Sequence, residues 1–409
     1  MARIIPFKAI RPTRDKAQLV TSRPYYAYTQ LMLDAKLKGN PYSFIHIINP
    51  EFEEEDKTEP NTPERFQKVR NKFEEFERQG IFMHEERPSL YIYKKTTDTH
   101  EFLGVIGGAS IDEYTNGKIK KHEQTITERE TTFSNYLKVV EFNAEPVLLF
   151  HDNREKLNNL FLKYTFDRPE YEFTTTDKAK HELWVISEPT QINEIQKVYD
   201  TIDDIYIADG HHRSASSARF YNDSENKTDL KAHFLAYFIS SERLRILDYN
   251  RLVKTTNNLN TTELINQIEN SFIITEVNSE DIHSRGLHNL LMYIDEVWYN
   301  LQAKEEIINR DNPVESLDTF ILSKYILKPI LGIKSLQSSE DINFISGSKG
   351  LKGISESVDL GKHKIGFGLY PVSPKQLKDV ADANLIMPPK STWIEPKMRS
   401  GLIIYPLND

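Results

Sequence analysis

The sequence predicts an α+β fold: mixed, mainly antiparallel sheets with packed helices. Three observations carry that expectation. β-rich runs fall in neighbouring pairs, as at residues 89–93 with 102–109 and 290–294 with 297–301. Apolar residues recur at helical spacing elsewhere, as Phe66, Val69, Phe73 and Phe76 do. The two kinds of segment alternate irregularly, without the regular strand–helix–strand order of a doubly wound sheet.

Taken in order, Ile4-Ile5-Pro6-Phe7 opens as an extended segment and Arg23-Pro24-Tyr25-Tyr26 as a rigid turn. Residues 43–48 read as a β-rich run ended by Asn49-Pro50. A helix begins after Thr62, a good N-cap, with Pro63 at its first position, and stops at Gly80. Strands at 89–93 and 102–109 follow, then the turn pair Asn116-Gly117 and a helix over 126–140. Residues 146–150 and 182–186 read as strands with a helix over 153–167 between them. A helix over 188–202, with Ile192, Ile195, Val198 and Tyr199 inward, leads to a short apolar strand at 205–208. Strands at 232–240 and 244–252 come next, then a helix over 261–271 capped by Thr261 or Thr262. The hairpin turns at Asp295-Glu296. A helix over 316–331, a strand at 342–345, a strand at 364–370, a helix over 374–383 and a strand at 401–405 close the chain. Three regions are expected: 1–145, 146–255 and 256–409.

Composition excludes several classes. With no cysteine there are no disulfides, cysteine zinc sites or thiol nucleophiles. A net charge of −9 argues against non-specific nucleic-acid binding, which rests on basic surface. No apolar run reaches the roughly 18 residues of a membrane span, and the N-terminus lacks a signal-peptide pattern, so the cytoplasm is the expected compartment.

The chemistry gathers at Asp209-Gly210-His211-His212-Arg213, where the apolar strand ends and a small-residue helix begins. A helix N-terminus presents unpaired N–H groups and the positive end of the helix dipole, which favours anions. Gly210 lets a backbone come close to a ligand, and Arg213 can fork onto two phosphate oxygens. Asp209 can hold magnesium or accept a proton, and two adjacent His can bind, orient or shuttle protons. The same residues also make an ordinary strand-to-helix turn. A second constellation is His122-Glu123-Gln124-Thr125 with Arg129 beyond it. Glu123 is a candidate general base, and His122 can share that role or contact phosphate; a solvated charged loop is the plainer alternative. It is not a zinc protease motif, because position 126 is Ile. A third is the stiff terminal loop in which Lys390 and Lys397 flank Trp393 and Glu395, either closing over a site or covering a sheet. Ser346-Gly347-Ser348-Lys349-Gly350 lacks P-loop spacing and receives no phosphate role.

Ile-Ala-Asp-Gly-His-His-Arg, the His-Glu-x-Thr segment after Asn-Gly, and the Met-Pro-Pro-Lys-Ser-Thr…Glu-Pro-Lys…Gly-Leu-Ile ending together resemble a prokaryotic family. It is domain-of-unknown-function family ten-fifteen, grouped with ParB-like proteins and similar at this motif to free-serine kinases. The resemblance implies a ParB/sulfiredoxin-like core. It implies a phosphate site at Gly210, His211, His212 and Arg213; Arg129, by its local positive charge, and Lys397, on the terminal loop, are further candidate cations. It implies Asp209 as an acidic metal or catalytic residue, and ATP or ADP with magnesium. The partners implied are a nucleotide and a small hydroxyl substrate, for a kinase or for a ParB-like nucleotide-binding regulator without transfer. Where many members carry Pro-Pro-Tyr-Asp, this chain has Arg23-Pro24-Tyr25-Tyr26.

Overall fold

The computed structural model describes residues 3–278 and 286–408; Met1 and Ala2, with which the N-terminal reading begins, lie outside them. The chain divides into two units, Met1–Leu244 with Pro396–Asp409, and Arg245–Glu395. The expected division at residues 145 and 255 is corrected here, because strands from both sides of residue 145 hydrogen-bond into one sheet. Both units are mixed α and β with mainly antiparallel sheets.

The first unit is built on a nine-stranded sheet. Across it the strands run Ile119–Lys120, Ile205–Asp209, Val147–His151, His233–Ser240, Glu101–Ser110, Leu90–Thr96, Lys180–Ile186 and Tyr171–Thr174, with Ile4–Ile5 added to Glu101–Ser110. Two pairings are parallel: Ile119 with Ile205 in register, and Ala236 with Val147. Glycine is used in the central strand for closeness. A Cβ on Gly104 would stand 2.2 Å from the Phe238 carbonyl oxygen of the neighbouring strand. Val105, Leu149, Ile207 and Ala236 are buried on this sheet, under helices that contribute Leu157, Ile195 and Tyr199. The helix Pro63–Arg78 starts where expected. The Thr62 hydroxyl accepts from the Arg65 N–H, Gly80 turns the chain with φ +69°, and the Phe66, Val69, Phe73 and Phe76 stripe is buried. The helix Thr127–Val140 also forms as expected.

The second unit holds a six-stranded, wholly antiparallel sheet in the order Phe272–Val277, Val297–Ala303, Asn289–Ile294, Ile365–Gly368, Tyr249–Val253, Ile342–Ser346. The hairpin turns at Asp295 and Glu296, both with positive φ (47° and 63°), which is the geometry of a tight two-residue hairpin turn. Leu264, Leu290, Met292, Leu301 and Phe367 form its core.

Several elements differ from expectation. Residues 45–48 are one helical turn, Ile45–Ile48, not a strand. Ile45 and Ile47 are buried and His46 and Ile48 half-buried, an alternation that reads as a strand, but the Asn49 N–H bonds back to the Ile45 carbonyl and closes one helical turn, which the Phe44 N–H bond to the Val20 carbonyl anchors. The helix Gln30–Gly39 forms where none was expected, capped by Thr29. The later helix is capped by Asn260, one residue earlier than expected, in a reciprocal box with Glu263. Residues 244–252 divide into Arg245–Leu247 and Tyr249–Val253, in two different sheets. Residues 316–331 are not one α-helix. Asp318–Leu322 gives way to a wider turn over Ser323–Leu327, where the Lys328 N–H reaches back five residues to the Ser323 carbonyl at 3.1 Å. The last expected strand is reduced to Tyr405–Pro406, paired with Phe142–Asn143, and a bridge from Ile404 to Ile10. Among the described residues no helix is long and apolar enough to cross a membrane.

Candidate functional site

The strand Ile205–Asp209 passes through Gly210 into the helix His211–Asp223. Gly210 has φ +106° and caps the helix without a side chain. A Cβ there would stand 3.1 Å from the Arg213 guanidinium, so backbone angle and space both demand glycine. Ser214 is the first amide to find a helical partner, the Gly210 carbonyl at 3.0 Å, and the amides of His211, His212 and Arg213 precede it at the positive end of the dipole.

The second motif arrives by strand pairing. Ile119–Lys120 runs parallel to Ile205 and Tyr206, so both chains leave the sheet at the same edge. His122 and Glu123 therefore come to lie beside His211. The His122 N–H donates to His211 Nε2 at 3.4 Å, which places the His211 proton on Nδ1. That Nδ1 is 3.5 Å from Glu123 Oε2. The two imidazole rings meet edge to face at 4.4 Å. His122 and His211 are buried, whereas the Glu123 side chain is 55% exposed. Two stretches almost ninety residues apart thus share one corner.

Burial governs the charges. It pushes the His122 imidazole down to about 4, and it holds His211 well below the ordinary histidine value, with His122 and His212 adding to the effect. Both are neutral at pH 7. His212 is also lowered, by burial first and then by Arg129, which stands exposed in the first turn of Thr127–Val140. His122 Nδ1 and His212 Nδ1 are buried without a hydrogen-bond partner.

Asp209 sits among cations. Its Oδ2 accepts from Arg213 Nη2 at 3.0 Å and its Oδ1 from Lys397 Nζ at 3.3 Å. Burial works to raise its pKa, but Lys397 and Arg213 outweigh that and hold the carboxyl below its usual range. Arg213 is the keystone of the corner. Its Nη1 donates to the Pro146 carbonyl at 2.5 Å and lies 3.0 Å from Glu145 Oε1. Glu145 is a site residue that sequence reasoning missed; nothing around Glu145-Pro146 marks it beyond the start of a strand. Lys397 comes from the terminal segment, which is anchored two residues on by Arg399. That buried guanidinium donates to His181 Nε2 at 3.1 Å and to Asp177 Oδ1 at 2.9 Å, a network equally invisible in the sequence. Lys390 belongs to the second unit, where its Nζ lies 5.7 Å from the centre of the Tyr249 ring.

The corner suits an anion at the helix N-terminus. It does not suit a magnesium ion at Asp209 as built, since each oxygen already holds a cation. Among the described residues no group of three or more His, Asp or Glu is placed to hold a metal.

Structurally, then, the molecule is an α+β protein whose largest sheet delivers two polar motifs to one strand-to-helix corner. The chain belongs to the family described as "Protein of unknown function (DUF1015)", which matches residues 4–320. No curated protein matches the sequence. Among solved structures, a free serine kinase in complex with AMP is 15% identical, covering 74% of this chain and 92% of that one at a TM-score of 0.38. SbnI with a C-terminal truncation, from Staphylococcus aureus, is 11% identical over 74% and 87% at 0.39. A conserved hypothetical protein from Pyrococcus furiosus is 14% identical over 73% and 95% at 0.34. Identity and TM-score are low throughout, and these likenesses carry no functional argument.

Proposed function

We propose that this protein is a nucleotide-dependent small-molecule kinase of the cytoplasm, moving a phosphoryl group to a hydroxyl such as that of free serine. The observation that supports it is the meeting of Glu123 with His211 at the helix N-terminus. Phosphoryl transfer asks for an anion cradle and a base within reach of it, and little else from the protein. A bound nucleotide would supply the transferable phosphoryl group. Gly210 and the first amides of the helix hold phosphate oxygens, in the manner of a ParB/sulfiredoxin-like core. Lys397 and Arg213 offset the phosphate charge, and Arg129 adds to the local positive field. Glu123 takes the proton from the acceptor hydroxyl. His211, neutral and with its proton on Nδ1, orients that carboxylate, and His122 fixes the His211 tautomer through its backbone N–H.

One observation favours a second reading. Arg213 and Asp209 are engaged with each other and with Glu145, Pro146 and Lys397, which suits a rigid phosphate-sensing corner. A ParB-like regulator would bind nucleotide there without transfer. The experiment is nucleotide binding and serine phosphorylation with wild type and Glu123→Gln. Because Glu123 is exposed, the variant folds. The kinase reading expects binding retained and turnover lowered about 10²–10⁴-fold. Wild-type binding without turnover on any hydroxyl would establish the regulator instead.

A further inference from the structure

The Arg213 guanidinium has a second neighbourhood, which the phosphotransfer reading leaves unused. A cavity of about 620 Å³ lies against it. Its walls are aromatic: Phe66, Tyr136 and Phe142 from within, and Phe133 at its exposed side. Phe66 and Tyr136 meet edge to face at 5.3 Å, so their rings are set rather than loose. Arg213 and Ser216, one helical turn apart on His211–Asp223, form one end. Since the same guanidinium lies over Gly210, that end of the cavity and the helix N-terminus share Arg213.

Two features say what fits. Asn143 lines the cavity, and its Nδ2 is buried with no hydrogen-bond partner. A buried donor left unpaired is costly, and an acceptor on a ligand would satisfy it. The volume is in the range of small-molecule sites and far larger than a serine-sized acceptor can fill. Flat aromatic walls with one unsatisfied amide suit a flat heterocycle that stacks by its faces and hydrogen-bonds by its edge.

We infer that this cavity receives the nucleobase of the nucleotide whose phosphates lie at the helix N-terminus. The assignment rests on the phosphotransfer reading for those phosphates, and makes Asn143 and the aromatic wall the determinants of base selection. The base enters past Arg213, stacks among Phe66, Tyr136 and Phe142, and offers an edge acceptor to Asn143 Nδ2.

The test separates the two readings by using a ligand with phosphates and no base. ATP, CTP and inorganic tripolyphosphate are titrated calorimetrically into wild type, Thr132→Trp and Asn143→Ala. Thr132 is half-buried at the cavity wall, where its hydroxyl bonds the Glu128 carbonyl of its own helix, so a Trp there fills the cavity without touching the sheet core. Both variants should bind the preferred nucleotide about tenfold more weakly or worse, and tripolyphosphate within about twofold of wild type. Retained tripolyphosphate binding also shows that each variant is folded. Undiminished nucleotide affinity in Thr132→Trp overturns the cavity assignment and leaves the kinase reading standing. So does a wild type that binds tripolyphosphate as tightly as either nucleotide. A wild type that binds none of the three overturns the phosphotransfer reading, and this assignment with it.

Discussion

Asp209 in the first unit and Asp318 in the second are the same side chain in opposite electrostatic situations. Asp209 is flanked by Arg213 and Lys397, and its carboxyl is held below the ordinary value. Asp318 is 4% exposed and accepts from the His288 N–H at 3.0 Å, but its Oδ2 is buried without a partner, and burial pushes it up to about 7. The arginines repeat the contrast. In the first unit Arg11 is buried yet bonded to Glu85, Glu170 and Tyr171, and Tyr171 and Glu85 raise its pKa against the burial that works to lower it. In the second unit Arg251 is fully buried, bonds only the Tyr249 carbonyl, and lies 5.1 Å from the centre of the Phe344 ring. Its Nε and Nη2 have no partner, and burial lowers it to about 9. Burial alone therefore does not say whether a charge is stable. Opposite charges brought from elsewhere in the chain decide it.

That contrast can be broken most decisively at the arginines. Arg11→Met leaves Glu85 without its cation and Glu170 with Arg14 alone, and should destabilise the first unit by about 3 kcal/mol. Arg251→Met removes a charge that has no partner and should leave the second unit as stable as before, or more so. Hydrogen exchange read separately in Glu101–Ser110 and Ile365–Gly368 reports each unit. A loss at Arg251→Met as large as that at Arg11→Met would show that Arg251 is paired after all.

The next effect lies at Asp318. Its folded-state pKa is above the unfolded one, so the wild type should lose stability as pH rises from about 4 to 7, to a total of about 3 kcal/mol. Asp318→Asn should flatten that slope and stabilise the second unit at pH 8. Denaturant midpoints across that pH range provide the check, and an unchanged slope would place the proton elsewhere. The smallest effect is at Asp209, where the sign reverses. A lowered carboxyl stabilises above its unfolded value near 4 and loses that contribution in acid. Its side chain keeps a third of its surface in water, so Asp209→Asn should cost only about 1 kcal/mol at pH 7, and less at high salt. A gain in stability instead would mean that Lys397 and Arg213 fail to offset its desolvation.

Much of the architecture was legible in the chain because its signals are local. Thr62, Pro63 and Gly80 fix one helix within a turn of either end. Asp295-Glu296 fixes a hairpin, and the apolar run into Asp209-Gly210 fixes the strand-to-helix corner. The same holds for the nature of the candidate site, since Gly210 and the helix after it place the helix's first amides at a strand-to-helix corner wherever they are set. A run as short as Ile45–Ile48 was misread, since its buried and half-buried residues alternate as in a strand and a single helical turn is too short to show its own period. What no local signal carried is which distant segments meet. The parallel pairing of Ile119–Lys120 with Ile205–Tyr206 set Glu123 beside His211. The path of the terminal segment set Lys397 on Asp209, 188 residues away. Only the tertiary structure decided these, because sheet register and ion pairing depend on how whole elements pack, whereas caps, turns and periodicity depend on neighbours a few bonds apart.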